Sequence, residues 1–329
     1  MSIARVAIAC LGAGRMGRGV AVAFAYAGHS VTLIDVKDRS SAEFDKLKHD
    51  SMVEIQSTLA SLSRFGLMNP DDVRTVLARI TVVPRQDIAE SVGGISLILE
   101  GVPEIVDLKR EVLSDVSRLV PEDVIIASTT STILVDDLSV AIEHPARFLN
   151  AHWLNPAYLI PLVEISPGKA TDPAIVDSVK SLLESIGKVP VVCAATPGFI
   201  VPRIQALAMN EAARMVEEGV ASAEDIDKAI RFGFGFRYAV LGLLEFIDWG
   251  GGDILYYASR YLEGALGSER YRAPDVISRN MNEGRIGLRT GAGFLDYSSL
   301  DIDEYRERRL TELVDLLRHF KLARPPVLD

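Results

Sequence analysis

The sequence predicts an α/β fold, in which a doubly wound sheet is followed by an all-helical C-terminal domain. Two observations predict it. In the first half of the chain, short apolar runs of strand type alternate with helical patterns, as expected of βαβ units. From Thr196 onward, helical patterns predominate and strand patterns are few. We therefore predict domains at residues 1–195 and 196–298, followed by a charged, amphipathic helical tail at 299–329.

Composition and charge restrict the possible functions. The chain has 329 residues, 48% hydrophobic and 24% charged, as expected of a soluble globular protein with two domains. Its net charge of −10 gives no electrostatic basis for binding nucleic acid. We find neither a membrane-spanning apolar run nor a targeting segment. Two cysteines form no disulfide framework, so we expect a cytoplasmic protein.

A glycine-rich turn, residues 12–17, joins the first predicted strand to the first predicted helix. The strand covers 5–11, the small-residue helix 20–27, and a second strand, 30–35, completes the unit. A Gly-x-Gly-x-x-Gly motif is a specific signal for dinucleotide binding only in this context. The candidate cofactor-binding residues of the turn are Gly12, Gly14, Arg15, Met16 and Gly17.

Each glycine of this motif has a physical reason. Gly12 permits the tight turn, Gly14 lets the backbone approach a pyrophosphate, and Gly17 lets helix and strand pack closely. The N-terminus of the helix offers free N–H groups and a partial positive charge to the phosphates.

Asp35 ends the second predicted strand, where a carboxylate can accept hydrogen bonds from the adenosine ribose. The same charge repels a 2′-phosphate, so we predict NAD rather than NADP as the cofactor. Lys37 and Arg39 lie nearby in sequence and would soften that preference. The alternative is that Asp35 is an ordinary turn residue.

Three further polar residues follow predicted strands. Glu104, Ser131 and His152 are each expected just past the C-terminal end of a strand, where doubly wound sheets bind their ligands. Each residue also has a structural alternative. Glu104 would be an acid at the start of a helix, Ser131 a helix cap and His152 a core histidine.

His152 and Glu164 lie in one apolar stretch, twelve positions apart. A histidine titrates near neutral pH and can take a proton from an alcohol. A carboxylate that accepts its other N–H fixes the tautomer and stabilises the imidazolium. We therefore predict a base and its partner, with no metal site.

In the second half of the chain, residues 233–242 are predicted to form a glycine-rich loop that carries Arg237. The helix at 301–322 is expected to be a solvated surface helix, with packing across a dimer as the alternative.

Taken together, these motifs resemble the L-3-hydroxyacyl-CoA dehydrogenase family over nearly the whole chain. The matching stretches are the glycine turn, Gly101-Val-Pro-Glu104 with Lys109, Ser128-Thr-Thr-Ser131, His152-Trp-Leu-Asn155-Pro156, Leu162-Val-Glu164 and Thr196-Pro-Gly-Phe-Ile-Val201. The resemblance implies a Rossmann-type NAD domain and a helical domain that commonly forms a homodimer contact.

The resemblance also implies roles for individual residues. His152 would be the general base, Glu164 its partner, and Ser131 a hydroxyl that contacts the reacting oxygen of a small-molecule substrate. The residues along the nicotinamide half of the cofactor would be Glu104, Lys109 and Asn155. NAD would accept hydride from C3 of a 3-hydroxyl substrate while the base accepts the proton.

Three departures concern the substrate. Pro202 stands where the family usually has a substrate-holding Asn. The stretch from Ser41 to Gly66 has more acidic than basic residues, which gives coenzyme A phosphates little attraction. Arg237, within Phe-Arg-Tyr-Ala, and the sequence after Asn155 resemble the gulonate dehydrogenase and lambda-crystallin branch.

These departures favour a small free 3-hydroxy carboxylate, which an arginine fork can bind through two hydrogen bonds. The alternatives are a short-chain 3-hydroxyacyl-CoA such as 3-hydroxybutyryl-CoA and, for Arg237, a surface salt bridge. A purely structural, crystallin-like role is a remote alternative, since the catalytic pair and the cofactor loop are intact.

Overall fold

The computed structural model describes residues 5–328, which form two compact units. The first extends to Ala208 and the second begins at Met209, so the chain passes from one to the other within a helix, α8 (Val201–Glu217). The domain limits at 195 and 298 stay a prediction, and their outermost residues, 1 and 329, lie outside the described residues.

The first unit is organised around one eight-stranded sheet. Its strands are β1 Ala7–Leu11, β2 Ser30–Ile34, β3 Ile80–Val83, β4 Ile95–Glu100, β5 Ile125–Ser128, β6 Phe148–Trp153, β7 Leu162–Pro167 and β8 Val189–Val192. Their order is β3-β2-β1-β4-β5-β6-β7-β8, and all neighbours are parallel except β6 and β7. The predicted doubly wound sheet is confirmed. Its strand order changes direction between β1 and β4, the position where such sheets bind nucleotides.

Helices cover both faces of this sheet. They are α1 Arg15–Tyr26, α2 Ser41–Arg64, α3 Asp72–Leu77, α4 Ile88–Ser91, α5 Val106–Leu119, α6 Val135–Ser139, α7 Pro173–Ser185 and the start of α8. Alternate residues of β1 enter two separate apolar cores: Ile8 and Cys10 belong to one, and Ala9 and Leu11 to the other. Burial on both faces explains why these strands are continuous apolar runs in the sequence.

The long helix α2 shows how local sequence sets an element. Ser40 and Glu43 form a capping box at its start. Ile55 and Leu59, four residues apart on one face of the helix, are buried in the core. Leu47, nearer the start of the helix, is only half-buried and lines the cavity described below. The acidic and basic residues of α2 face solvent.

The second unit consists of helices. They are α9 Ala223–Ala229, α10 Gly235–Tyr238, α11 Leu243–Gly250, α12 Gly252–Leu266, α13 Asp275–Asn282 and α14 Ile302–His319. In α14, the buried Tyr305 donates to Glu245 of α11, and Arg309 forms an ion pair of 2.9 Å with the same carboxylate. None of the helices in residues 5–328 has the length and apolar character needed to cross a membrane.

One prediction of local structure in this unit was wrong. Residues 230–234 form a π-helical turn that continues into α10, so Arg237 lies on a helix and not in a loop. A Cβ on Gly235 would lie 3.1 Å from the carbonyl oxygen of Ile230. Glycine here permits a close approach of the backbone within a helical turn, whereas in the sequence it resembled a loop signal.

Candidate active site

A cavity of about 750 Å³ opens at the C-terminal ends of the central strands. Its lining includes the glycine turn after β1 and Asp35 after β2. It also includes Ser131, His152 and Asn155. All the residues that line it belong to the first unit. They include every candidate site residue except Gly17, Glu164 and Arg237. Glu164 lies directly behind His152.

The backbone of the glycine turn is closely packed at Gly12 and Gly17 and open at Gly14. Gly12 has a φ of +98°, and a Cβ there would meet the carbonyl oxygen of Gly101 at 3.1 Å. A Cβ on Gly17 would lie 2.0 Å from the carbonyl oxygen of Gly12. Gly14, in contrast, has no atom within 4 Å of a Cβ position, which leaves space for a ligand. The N-cap residue of α1 is Gly14, which has no side chain to cap the helix, so the first N–H groups of α1 are open to an anionic ligand.

Asp35 is almost fully buried beside this turn. Its Oδ2 lies 2.5 Å from Nε of Arg39, and its Oδ1 accepts a 3.3 Å hydrogen bond from the backbone N–H of Lys37. Lys37 and Arg39, which are close to Asp35 in the sequence, therefore also contact it directly in the structure. Arg39 offsets part of the negative charge that a 2′-phosphate would meet.

His152 and Glu164 are direct cross-strand neighbours on β6 and β7. Nδ1 of the histidine lies 2.7 Å from Oε2 of the carboxylate, which has no exposed surface. His152 was predicted just past a strand end, but it lies inside β6, because antiparallel pairing with β7 continues to Trp153. With Nδ1 bound to Glu164, Nε2 is left to exchange a proton with a ligand.

The second oxygen of Glu164 reaches the start of α8. Oε1 accepts hydrogen bonds of 2.9 Å and 2.8 Å from the backbone N–H groups of Ile200 and Val201. These two N–H groups have no acceptor within the helix, so the Glu164 side chain caps the start of α8. One buried side chain therefore orients the imidazole and holds the first turn of a helix.

Phe199 completes the surroundings of the histidine. Its ring is stacked on the imidazole, with a centroid distance of 5.2 Å and an interplanar angle of 5°. The residue is buried and has a φ of +45°, an uncommon conformation for a bulky side chain. From the sequence, no role of its own was predicted for Phe199. The preceding Pro-Gly, which signals a turn, was the only indication of unusual backbone.

Glu104 organises the loop that carries Ser131. It accepts hydrogen bonds from the hydroxyl groups of Thr130 and Thr132 and, at 3.1 Å each, from the backbone N–H groups of Ser131 and Thr132. Burial raises the pKa of Glu104, but the hydrogen bonds and the charge of Lys109 outweigh it and hold the pKa below its usual range. The hydroxyl of Ser131 is 3.5 Å from the carboxylate, which leaves it able to bond elsewhere.

Beneath this loop lies a buried polar network that sequence analysis missed. Glu100, at the end of β4, has no exposed surface and pairs with Lys109 of α5 at 2.8 Å. It also accepts hydrogen bonds from the hydroxyl of Ser128 and the N–H of Val102. Lys109 is 3.4 Å from Glu104. The lysine thus links the strand end to the loop at the cavity.

The segment that follows β6 is held by the side chain of Lys188. Lys188 donates to the carbonyl oxygens of Ala157 and Ile160 at 2.6 Å and 2.8 Å, and its ammonium lies 5.5 Å from the ring centre of Trp153. Burial lowers the pKa of Lys188. Asn155, at the start of this segment, is exposed at the cavity.

Arg237 belongs to the second unit and not to the lining of this cavity. Its Nε donates to the carbonyl oxygen of Gly233 at 3.0 Å, and its guanidinium lies 4.6 Å from the ring centre of Phe246. Within residues 5–328 it has no salt-bridge partner at 4.0 Å or less. The surface salt bridge considered from the sequence is therefore not formed by the described residues.

Comparison with known families covers most of the chain. Residues 7–196 match the family model of the 3-hydroxyacyl-CoA dehydrogenase NAD-binding domain, and residues 198–297 match that of the 3-hydroxyacyl-CoA dehydrogenase C-terminal domain. The chain belongs to the 3-hydroxyacyl-CoA dehydrogenase family. The resemblance deduced from the motifs is confirmed, and NAD is the cofactor.

Individual members of the family differ in their substrates. The chain is 33% identical to 5-formyl-3-hydroxy-2-methylpyridine 4-carboxylate 5-dehydrogenase of Mesorhizobium japonicum, over 94% of this chain and 97% of that protein. It is 34% identical to lambda-crystallin of Oryctolagus cuniculus, over 77% of each chain. The crystal structure of a 3-hydroxyacyl-CoA dehydrogenase from Archaeoglobus fulgidus has a TM-score of 0.74 and 31% identity, covering 97% of this chain and all of that one.

Proposed function

We propose that this chain oxidises the C3 hydroxyl of a small free 3-hydroxy carboxylate and that it also catalyses the reverse reduction. The observation that carries the proposal is the pairing of His152 with the buried Glu164 at 2.7 Å in the wall of the dinucleotide cavity. This arrangement has the two parts that dehydrogenation of an alcohol requires, a base and a neighbouring cofactor site.

The residues of the chain account for the proton. Glu164 accepts the Nδ1 hydrogen of His152, so the neutral imidazole presents the lone pair of Nε2 to the substrate hydroxyl. Proton transfer gives an imidazolium, which the adjacent carboxylate stabilises. Phe199 holds the ring plane, and the Ser131 hydroxyl is proposed to hydrogen-bond the reacting oxygen.

The cofactor is proposed to lie along the cavity from Asp35 to Asn155. When bound, NAD accepts the hydride that leaves C3. The glycine turn with Arg15 and Met16 would hold the pyrophosphate, and Asp35 the adenosine ribose. Glu104 shapes the loop beside the nicotinamide half, and Lys109 fixes Glu104 from below.

Charge and contacts support a free acid over a coenzyme A thioester. Along α2, Lys46 pairs with Asp50 at 2.6 Å, and Glu54 pairs with Arg18 of α1 at 2.7 Å. These contacts leave little uncommitted positive charge for the phosphates of coenzyme A. The relative from Mesorhizobium japonicum, whose name includes a pyridine carboxylate, is in keeping with such a substrate.

A second candidate is a short-chain 3-hydroxyacyl-CoA, such as 3-hydroxybutyryl-CoA. It is favoured by the similarity to the Archaeoglobus fulgidus 3-hydroxyacyl-CoA dehydrogenase, which extends over 97% of this chain. A structural role like that of a crystallin is a remote third candidate, suggested by the lambda-crystallin relative.

We also propose that the chain is a homodimer joined through its helical unit. On α12, Ile254, Tyr257 and Tyr261 lie at helical spacing along one face and are 62%, 63% and 73% exposed. Light scattering coupled to gel filtration would give the mass in solution.

Both cysteines are free, which supports the cytoplasm as the compartment.

Formation of NADH, followed by absorbance, tests the proposed reaction. Free 3-hydroxybutyrate, a sugar acid such as gulonate and 3-hydroxybutyryl-CoA would be compared with wild-type protein and with His152→Gln. We expect the highest kcat/KM on a free acid and a loss of roughly 10²- to 10⁴-fold in the variant. The highest activity on the thioester would favour the second candidate, a 3-hydroxyacyl-CoA dehydrogenase. If no 3-hydroxy substrate is turned over, the third candidate, a structural role, would be favoured.

A further inference from the structure

One amide side chain at the cavity is committed to no partner in the protein. Gln205 lies in α8, one turn after Pro202, and both residues line the cavity together with Ser131 and His152. Residues three apart share a helix face, so Gln205 projects from the face that carries Pro202. It is exposed, and its amide makes no hydrogen bond with another side chain or with the backbone of residues 5–328.

The helix that carries this amide is anchored beside the base. The first turn of α8 is bound to Glu164 through the N–H groups of Ile200 and Val201, and the same carboxylate holds His152. Gln205 therefore extends from a rigid element that shares an anchor with the imidazole. A polar group held in this way can select a substrate by its geometry.

We propose that Gln205 is a specificity-determining residue that binds the free carboxylate of the substrate. This inference rests on the proposed oxidation of a free hydroxy acid. An amide N–H is a hydrogen-bond donor, and a carboxylate oxygen is the acceptor that it suits. Pro202 offers no side-chain hydrogen bond, so Gln205 is the polar side chain that α8 presents to the cavity.

Because a carboxylate is charged, loss of its donor has a predictable size. A hydrogen bond to a charged group corresponds to roughly a 10- to 100-fold change in affinity. The bond holds one end of the substrate in both ground and transition states. Its removal should therefore raise KM and leave kcat, the KM for NAD and the pH profile of kcat near wild-type values.

The proposal is tested by steady-state kinetics. The substrate is the free acid on which the wild type has the highest kcat/KM. Gln205→Met removes the amide at similar length, and Gln205→Glu replaces it with a charge that repels a carboxylate. We expect KM to rise roughly 10- to 100-fold in the first variant and further in the second. Gln56→Met, on the exposed side of α2, is the matched control and should change nothing.

The outcomes separate this inference from the proposed function. If the wild type oxidises a free acid and Gln205→Met or Gln205→Glu has a wild-type KM, the assignment of Gln205 is wrong while the function stands. If a fall in kcat accompanies an unchanged KM, Gln205 does not bind the carboxylate. If the wild type acts only on the thioester, both proposals are overturned. Thermal melting checks that each variant is folded.

Discussion

The most informative single change is Glu164→Gln. It alters the charge of a fully buried side chain at nearly constant volume. The amide oxygen can still accept the two hydrogen bonds from Ile200 and Val201, so the start of α8 should stay in place. The amide nitrogen then faces Nδ1 of His152. Because an amide N–H2 only donates, the histidine must place its hydrogen on Nε2, the atom that we propose accepts the substrate proton.

The size of the effect follows from two losses. A hydrogen bond to a charged group is worth about 1.5–3 kcal/mol, or roughly 10- to 150-fold in rate if it acts on the imidazolium formed during reaction. The wrong tautomer adds a further loss. We expect kcat for oxidation to fall roughly 10²- to 10⁴-fold, the range of general-base catalysis. We also expect the dependence of kcat on pH to change, because the imidazolium formed on proton transfer loses its carboxylate partner.

The assay is NADH formation at saturating NAD and substrate, measured across neutral and alkaline pH. NAD binding, followed by calorimetry, should be nearly unchanged. Glu184→Gln removes an equal charge from an exposed position of α7 and is the control. If Glu164→Gln has a kcat and a pH profile within about twofold of the wild type, Glu164 is a structural residue only, and the proposed mechanism is refuted.

Three further changes test other parts of the site. Asp35→Ser should relax the preference for NAD by removing the charge opposed to a 2′-phosphate; equal kcat/KM for NAD and NADP in the wild type would contradict this role. Arg237 lies outside the cavity lining, so the carboxylate contact predicted for it from the sequence competes with that of Gln205; a contact by Arg237 predicts a KM for the free acid that is roughly tenfold or more higher in Arg237→Met and only partly restored in Arg237→Lys, and an unchanged KM in both variants would remove Arg237 from the substrate site. Phe199→Leu should lower kcat several-fold with little change in NAD affinity, because the imidazole loses its stacking partner; a wild-type kcat would assign the ring to packing alone.

Much of the fold could be predicted from the sequence because the signals were local. The glycine turn between β1 and α1 and the apolar runs of the parallel strands depend on neighbouring residues only. The direction of β7 did not follow from them. Its antiparallel pairing with β6 depends on the connection through Pro156–Pro161, and this pairing places His152 inside a strand.

The remaining features of the site depend on contacts between distant parts of the chain. In the sequence, Glu100 is the polar residue that follows an apolar run, and its pairing with Lys109 depends on how α5 packs on the sheet. Phe199 stacks on a ring 47 positions earlier in the sequence numbering. The glycines near Arg237 predicted a loop because glycine is common in loops. In the structure, the same residues lie within consecutive helical turns.

The buried pair of Glu100 and Lys109 also restricts how this protein can change during evolution. Removing one partner leaves an uncompensated charge in the interior, which typically costs about 3–5 kcal/mol, a large part of the stability of an ordinary domain. Replacement of both by apolar residues is far less costly. We therefore expect the two positions to vary jointly among descendants of this sequence, with single replacements surviving only in backgrounds that have stability to spare.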